Sequence, residues 1–327
     1  MTIGIAVSGP MAGLAAFSAL RAVERVARGA IGGFVSFVAL SDDGLLLSAS
    51  TQRGGTTTLF TDGEVTGTLP PPAFATARLA ALMSSGPNRP EPLIQFTPGD
   101  AAGGLVTGHR LPNMPGVEGV PLNAAVLARL TQGETPRGAV EAVLAANPQA
   151  DAGLVALARD GTLYAADSAL VRQRPDCGRY LGEDARTGAR CAVLHNSIFP
   201  AAPLAPLAAA IAFDAMAPAD QADFHITVVA GTRVELGGEA CVHLASNGGG
   251  DGERVERVTV TDRIWLGGCH HGAALPHGAA VRRGGRLVGR VIFEPYCVVE
   301  GGILVSLSGL EEAIISVRAD AIERAAI

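Results

Sequence analysis

The chain has 327 residues, of which 48% are hydrophobic and 17% charged, with 25 basic against 31 acidic side chains and a net charge of −6. All 25 basic residues are arginine, so a lysine Schiff base, a P-loop lysine and a serine-lysine dyad are excluded, and a weakly acidic surface argues against nucleic acid as a partner. The length suffices for a core that closes without metal or disulfide support.

The five cysteines (Cys177, Cys191, Cys241, Cys269, Cys297) are widely spaced and lack any two-residue gap, which reads as free thiols in a reducing compartment. The opening segment has no basic stretch followed by a long apolar one, and no run of 18 apolar residues occurs. The expectation is a cytoplasmic protein without a membrane partner.

In chain order, Leu14, Phe17, Leu20 and Val23 predict a helix over 13–28 that stops at Gly29. A hairpin follows, with strands over 33–40 and 45–51 and a turn at Asp42, Asp43 and Gly44. A proline-rich stretch (Pro70, Pro71, Pro72, Pro87, Pro90, Pro92) flanks a short predicted helix over 74–83. Thr135 and Pro136 open a helix that carries Ala139, Val140, Val143 and Leu144 and ends at Asn147 and Pro148. A second hairpin, 152–158 and 162–167 about Asp160 and Gly161, repeats the first almost phrase for phrase. A looser third copy is a helix over 204–216 with strands over 224–230 and 239–245.

Pro200, Pro203 and Pro206 mark the better candidate for a domain break. After it come strand-like runs over 254–266, 286–299 and 303–307, then a predicted terminal helix with Leu310, Ile314, Val317 and Ile322. The expected fold is α+β, a layered αββα-like sandwich of repeated helix-hairpin units, with residues 1–190 as one part and 191–327 as a second part rich in antiparallel strands.

Two loops concentrate reactive side chains. Cys269, His270, His271 and His277 lie in a glycine-rich loop and form the densest set of soft and imidazole ligands. Three of them with an open position would suit zinc, a non-metal site is a second reading, and an ordinary polar loop is a third. His109, Arg110 and Asn113 lie in a proline-stiffened loop, where Arg110 could clamp a carboxylate, His109 exchange a proton and Asn113 donate to an oxyanion. The bland alternative is a structural turn.

His195, Asn196 and Ser197 end an apolar strand, with a satisfied buried histidine as the simpler reading. The glycine-rich segment 246–252 reads as a flexible hairpin loop more than as an anion nest. Thr2 would become amino-terminal on removal of Met1, and Thr56 follows Gly55 in the form at which self-cleaving hydrolases expose a nucleophile. Such a threonine uses its own α-amine as base and needs no lysine. Ordinary strand threonines are the alternative.

Residues 104–170 resemble part of an uncharacterised bacterial family grouped with the N-terminal nucleophile hydrolases. The matching run is Gly104, Leu105, Val106 and Thr107, then Asn113 and Pro115, then Leu130, Thr131, Gln132 and Gly133, then Thr135 and Pro136 through Asn147 and Pro148, and the hairpin from Gly153 to Gly161. Isoaspartyl peptidases and γ-glutamyltransferases show a similar helix-then-hairpin phrase. The resemblance implies a four-layer αββα fold and amide hydrolysis. The sequence departs from it in having no unambiguous Ser, Thr or Cys after a demonstrable cleavage point.

Together these readings predict hydrolysis of an amide-like bond in a small carboxylate-bearing molecule. Arg110 would bind the carboxylate, His109 or His271 act as general acid/base, Asn113 steady the oxyanion and Cys269 serve as fallback nucleophile. The alternatives are a non-catalytic small-molecule-binding or assembly protein, and a zinc hydrolase built on residues 269–277. No resident cofactor is expected unless that loop holds zinc, and assembly into a homo-oligomer is left open.

Overall fold

The computed structural model describes residues 1–185, 187–217, 222–245 and 253–320. The chain divides into two compact units, Met1–Pro218 and Ala219–Ile327.

In the first unit a six-stranded antiparallel sheet runs in the order Cys177–Glu183, Arg190–Asn196, Thr2–Ser8, Leu79–Ser85, Val35–Leu40, Leu46–Thr51. Thr2–Ser8 is central and buried throughout, and its side chains alternate between two apolar environments. Ile3, Ile5 and Val7 pack with Phe17, Leu20 and Val23 of helix Ala12–Val26 and with Ala205, Ala208 and Ala212 of helix Ala201–Met216. Ala6 turns the other way and joins Val38, Ala81 and Leu194 against Leu105, Val155 and Leu157 of a second sheet.

That second sheet has the order Leu163–Asp167, Ala152–Ala158, Gly104–Arg110, Gly99–Asp100, again antiparallel. Its remaining face takes helices Leu122–Thr131 and Pro136–Ala146 through Val106, Val126, Val140, Val143 and Leu154. Pro136–Ala146 begins as its sequence dictates, with Pro136 in the first turn and the Thr135 hydroxyl accepting the Gly138 N–H at 3.2 Å.

Two glycines let the sheets approach. A Cβ on Gly4 would stand 2.9 Å from the Gly108 Cα, closer than real Cβ contacts allow. This approach carries Thr2 against Arg110.

The second unit is a β structure. Phe224–Val229, Glu312–Ala319, Arg286–Val291, Ala280–Arg283, Cys241–Leu244 and Glu253–Val260 are successive neighbours. Glu253–Val260 then pairs back onto Phe224–Val229 in parallel, Ile226 with Glu253 and Thr227 with Arg254, which closes a barrel. Arg233–Leu236, Ile303–Leu307, Cys297–Glu300 and Cys269–Gly272 extend the sheet beyond it. Alternate residues such as Ile226, Val228, Val242, Val281, Val288, Ile315 and Val317 fill the interior.

The expected fold class is overturned. Among the described residues 40% are strand and 23% helix, so the chain as a whole is mostly β, with a barrel and several sheets, in place of one layered αββα sandwich of repeated helix-hairpin units. The two look-alike hairpins are not copies of one module, because Val35–Leu40 joins the six-stranded sheet and Ala152–Ala158 the four-stranded one. In the supposed third copy the helix Ala201–Met216 belongs to the first unit and the strands after it to the barrel.

The predicted helix over 74–83 is a single turn, Pro72–Ala75, followed by strand Leu79–Ser85, whose seven buried residues cross the sheet between two partners. The predicted terminal helix is strand Glu312–Ala319, in which Ile315, Val317 and Ala319 alternate inward; Ile322 lies outside the described residues. The boundary also moves from 190 to 218, because Arg190–Asn196 and Ala201–Met216 complete the first unit's sheet and core.

Candidate functional site

Thr2 opens the central strand, and its hydroxyl is fixed from two sides. It donates to Asn196 Oδ1 at 2.6 Å and accepts the backbone N–H of Arg110 at 2.5 Å. The direction of the first bond follows from the residues behind it. The Ser197 hydroxyl donates to Asp176 Oδ2, so its oxygen accepts from Asn196 Nδ2 at 3.1 Å, which turns Oδ1 toward Thr2. Thr2 is 6% exposed, while Met1 in front of it is 47% exposed. Arg110 and Ser197 both hold left-handed backbone conformations (φ 65° and 53°), costly for non-glycine residues and common at functional sites.

The Met1 carbonyl accepts the Ser85 hydroxyl at 2.6 Å, and Arg89 Nη2 donates to the same Ser85 oxygen at 2.6 Å. Burial lowers the pKa of the Met1 amine, and Arg110, Arg89 and Arg174 lower it further against the opposing pull of Asp176. The Arg174 guanidinium, 2.7 Å away, and the Ser197 hydroxyl hold the Asp176 carboxyl down at about 2.

His109 lies completely buried at the end of strand Gly104–Arg110, with Nε2 2.7 Å from Asp167 Oδ1. Its cross-strand partner is Gly153, where any Cβ would strike the His109 ring, so the glycine makes the room. Nδ1 has no hydrogen-bond partner among the described residues. This is a sealed histidine, and the expected proton exchange with substrate is corrected.

Arg110 spends its fork on Asp151, Nε to Oδ1 at 2.6 Å and Nη2 to Oδ2, so the expected carboxylate clamp is already occupied from within. Asn113 donates to Gln95 Oε1 at 2.9 Å and ties two loops together. What this loop contributes is the Arg110 backbone N–H.

His195 is also buried, opposite Gly178, whose missing Cβ makes its space. Burial, and then His109, push it down to about 4. The Thr56 hydroxyl and N–H are bound by Glu24, whose own carboxyl is raised by burial. That commitment removes Thr56 as a nucleophile. Segment 246–252 lies outside the described residues.

The Cys269 group belongs to the second unit. Cys269 and His271 share one face of the sheet's outermost strand, Sγ to Nε2 3.7 Å, while His270 turns toward Trp265 and the His277 N–H donates to Glu294. Among the described residues no group of three His, Cys, Asp or Glu side chains could hold a metal ion, so the zinc arrangement over 269–277 is not formed.

A cavity of about 530 Å³ lies at the other end of the strands, where Gly103, Ala158 and Arg159 line it. Its polar groups have structural duties, Thr135 capping a helix and Arg137 paired with Glu141. The hydrogen-bonded Thr2 hydroxyl lies at the opposite strand ends, away from this hollow.

The sequence named Thr2, Asn196 and Ser197, but not their connection. Ser85, Arg89, Arg174 and Asp176 went unnoticed. The available signal was an arginine in the proline-rich segment and a second within two residues of an aspartate, both weak in a chain whose every cation is arginine.

Residues 2–225 match the profile of a domain of unknown function (DUF6963). The chain belongs to that family. The DUF6963 region ends seven residues beyond the first unit's boundary, and residues 231–312 match a second domain of unknown function (DUF7259) in the barrel unit. No curated protein and no solved structure matches the chain. Among the described residues no helix is long and apolar enough to cross a membrane.

Proposed function

We propose that this DUF6963 protein hydrolyses an amide-like bond of a small molecule, with Thr2 as the nucleophile once Met1 is removed. The observation that carries the reading is the Thr2 hydroxyl, buried and held between Asn196 Oδ1 and the Arg110 N–H at the start of the central strand.

With Met1 gone, the Thr2 α-amine takes the Oγ1 proton as Oγ1 bonds to the substrate carbonyl carbon. The carbonyl oxygen becomes an oxyanion, for which the Ser85 hydroxyl, released from Met1, is a donor. Collapse breaks the C–N bond, the leaving amine departs with the proton from the Thr2 ammonium, and a threonyl ester remains. Water then attacks the ester with the amine again as base, giving the acid and restoring Thr2.

Mass spectrometry of the purified chain should show Thr2 as the first residue. A screen of small amides should give turnover that Thr2→Ala abolishes and Thr2→Ser retains in part. Turnover unchanged in a correctly folded Thr2→Ala protein would exclude Thr2 as the nucleophile.

A further inference from the structure

Three guanidiniums act on the Met1 amine, those of Arg110, Arg89 and Arg174, with the Asp176 carboxylate opposing them. Arg110 is paired with Asp151, and Arg174 with Asp176. Arg89 is the surplus cation. Its Nη2 donates to Ser85 Oγ at 2.6 Å, and among the described residues no carboxylate pairs with it. Glu91, two residues on, is committed elsewhere, accepting from Gln52 Nε2 at 2.8 Å and from the Leu93 N–H at 3.0 Å.

Arg89 is also held in place from behind. Its backbone N–H donates to Gln52 Oε1 at 2.9 Å and its carbonyl accepts Gln52 Nε2 at 2.6 Å, so Gln52 clips the segment to the end of strand Leu46–Thr51. The guanidinium is partly exposed, and a pre-placed, partly desolvated arginine costs little to organise when an anion arrives. Ser85 stands between this cation and the Met1 carbonyl, at 2.6 Å from each.

We infer that the position of the Met1 carbonyl marks the acyl subsite, with Ser85 donating to the acyl carbonyl and Arg89 binding a carboxylate carried a few atoms away on the same acyl group. The substrates are then monoamides of short dicarboxylic acids, and the acid product is a dicarboxylate. The assignment rests on the Thr2 reading for its catalytic meaning, but anion binding by Arg89 is measurable without turnover. It also moves the carboxylate anchor from Arg110 to Arg89.

The test uses the full chain beginning at Thr2, released from an amino-terminal fusion by a protease that leaves no extra residue. Calorimetric titration with succinate should show binding that Arg89→Gln weakens at least tenfold and Arg89→Lys weakens less, with neutral butyramide bound far more weakly than succinate by the parent chain, a preference that Arg89→Gln should largely remove. Matching circular dichroism and melting curves establish that the variants are folded. In turnover, Arg89→Gln should raise KM for a succinyl anilide at least tenfold more than for the butyryl anilide. Succinate bound equally well by Arg89→Gln, or not bound by the parent chain, overturns the assignment. Succinate binding that depends on Arg89 but comes without hydrolysis of either anilide would overturn the Thr2 reading and leave the anion site standing.

Discussion

Gly4 and Gly108 touch across the two sheets of the first unit, so closely that a Cβ on Gly4 would stand 2.9 Å from the Gly108 Cα. Thr2 and Arg110 lie two residues further along their strands, and the contact between the hydroxyl of one and the N–H of the other depends on that approach. On the other side of its strand Gly108 is equally confined, since its own Cβ would meet Gly153 3.2 Å from the carbonyl carbon.

Gly4→Ala should therefore force the sheets apart. The added methyl has backbone in its way, with no flexible side chain to yield, and a loss of about 3 kcal/mol is expected. Denaturant unfolding measures it, and a change within about 0.5 kcal/mol, the range of an ordinary surface substitution, would show that the sheets yield freely.

Asn196→Ala removes the acceptor of the Thr2 hydroxyl and leaves the Ser197 oxygen without its donor. Stability should fall by about 1–3 kcal/mol, the cost of stranding buried polar groups. Under the Thr2 reading, kcat should fall on the order of 10²-fold through misplacement of the nucleophile. An unchanged kcat would mean that the hydrogen bond only supports the fold.

His195 predicts an acid-side loss of stability. Its folded pKa, about 4, lies below the ordinary histidine value of 6.5, so the unfolded chain takes up a proton over a range where the folded protein does not. Its contribution is complete above pH 6.5 and is lost as pH falls from 6.5 toward 4, by about 3 kcal/mol at the low end. Neither ring nitrogen has a hydrogen bond of full geometry among the described residues, although the Ala201 carbonyl gives the charged form some support. Stability measured from pH 8 to pH 4 should slope accordingly, and His195→Phe should flatten the slope below pH 6.5. Equal slopes in both proteins would assign the acid sensitivity to other groups.

Cys269→Ser and His271→Ala should each leave stability within about 0.5 kcal/mol, since Cys269 is exposed on the sheet's last strand and His271 beside it. Added zinc should leave the melting temperature of the barrel unchanged. A zinc-dependent rise that either substitution removes would restore the metal reading.

Helices were legible where the sequence carried caps as well as periodicity. Thr135, Pro136, Val140, Val143 and Leu144 specify both the start and the buried face of Pro136–Ala146. Leu79–Ser85 was misread because a run buried on both faces has no period that separates strand from helix, and its two neighbouring strands decide it. Glu312–Ala319 is apolar at positions that serve either period, and pairing with Phe224–Val229 and Arg286–Val291 selects the strand. The echo between the two hairpins was real as sequence, yet it recorded only that both pair in register behind a tight turn, because side-chain alternation carries no information about which sheet a hairpin joins.

The histidines show the same limit. His109 reads in sequence as available for proton exchange and His195 more simply as buried, and in the structure each faces a glycine on the neighbouring strand and sinks into that gap. Asp167 and Asp176, which decide the chemistry around them, are 58 residues from His109 and 21 from Ser197.

By itself the sequence determined the inventory. A chain without lysine leaves arginine as its only permanent side-chain cation, beside the hydroxyls, amides and carboxylates of residues such as Thr2, Asn196 and Asp176. Only the tertiary structure decided which of these are free to act, because pairing depends on distance in space. It joined Thr2 to Asn196 across 194 positions, consumed Arg110 on Asp151 and Arg174 on Asp176, and left Arg89 without a carboxylate among the described residues.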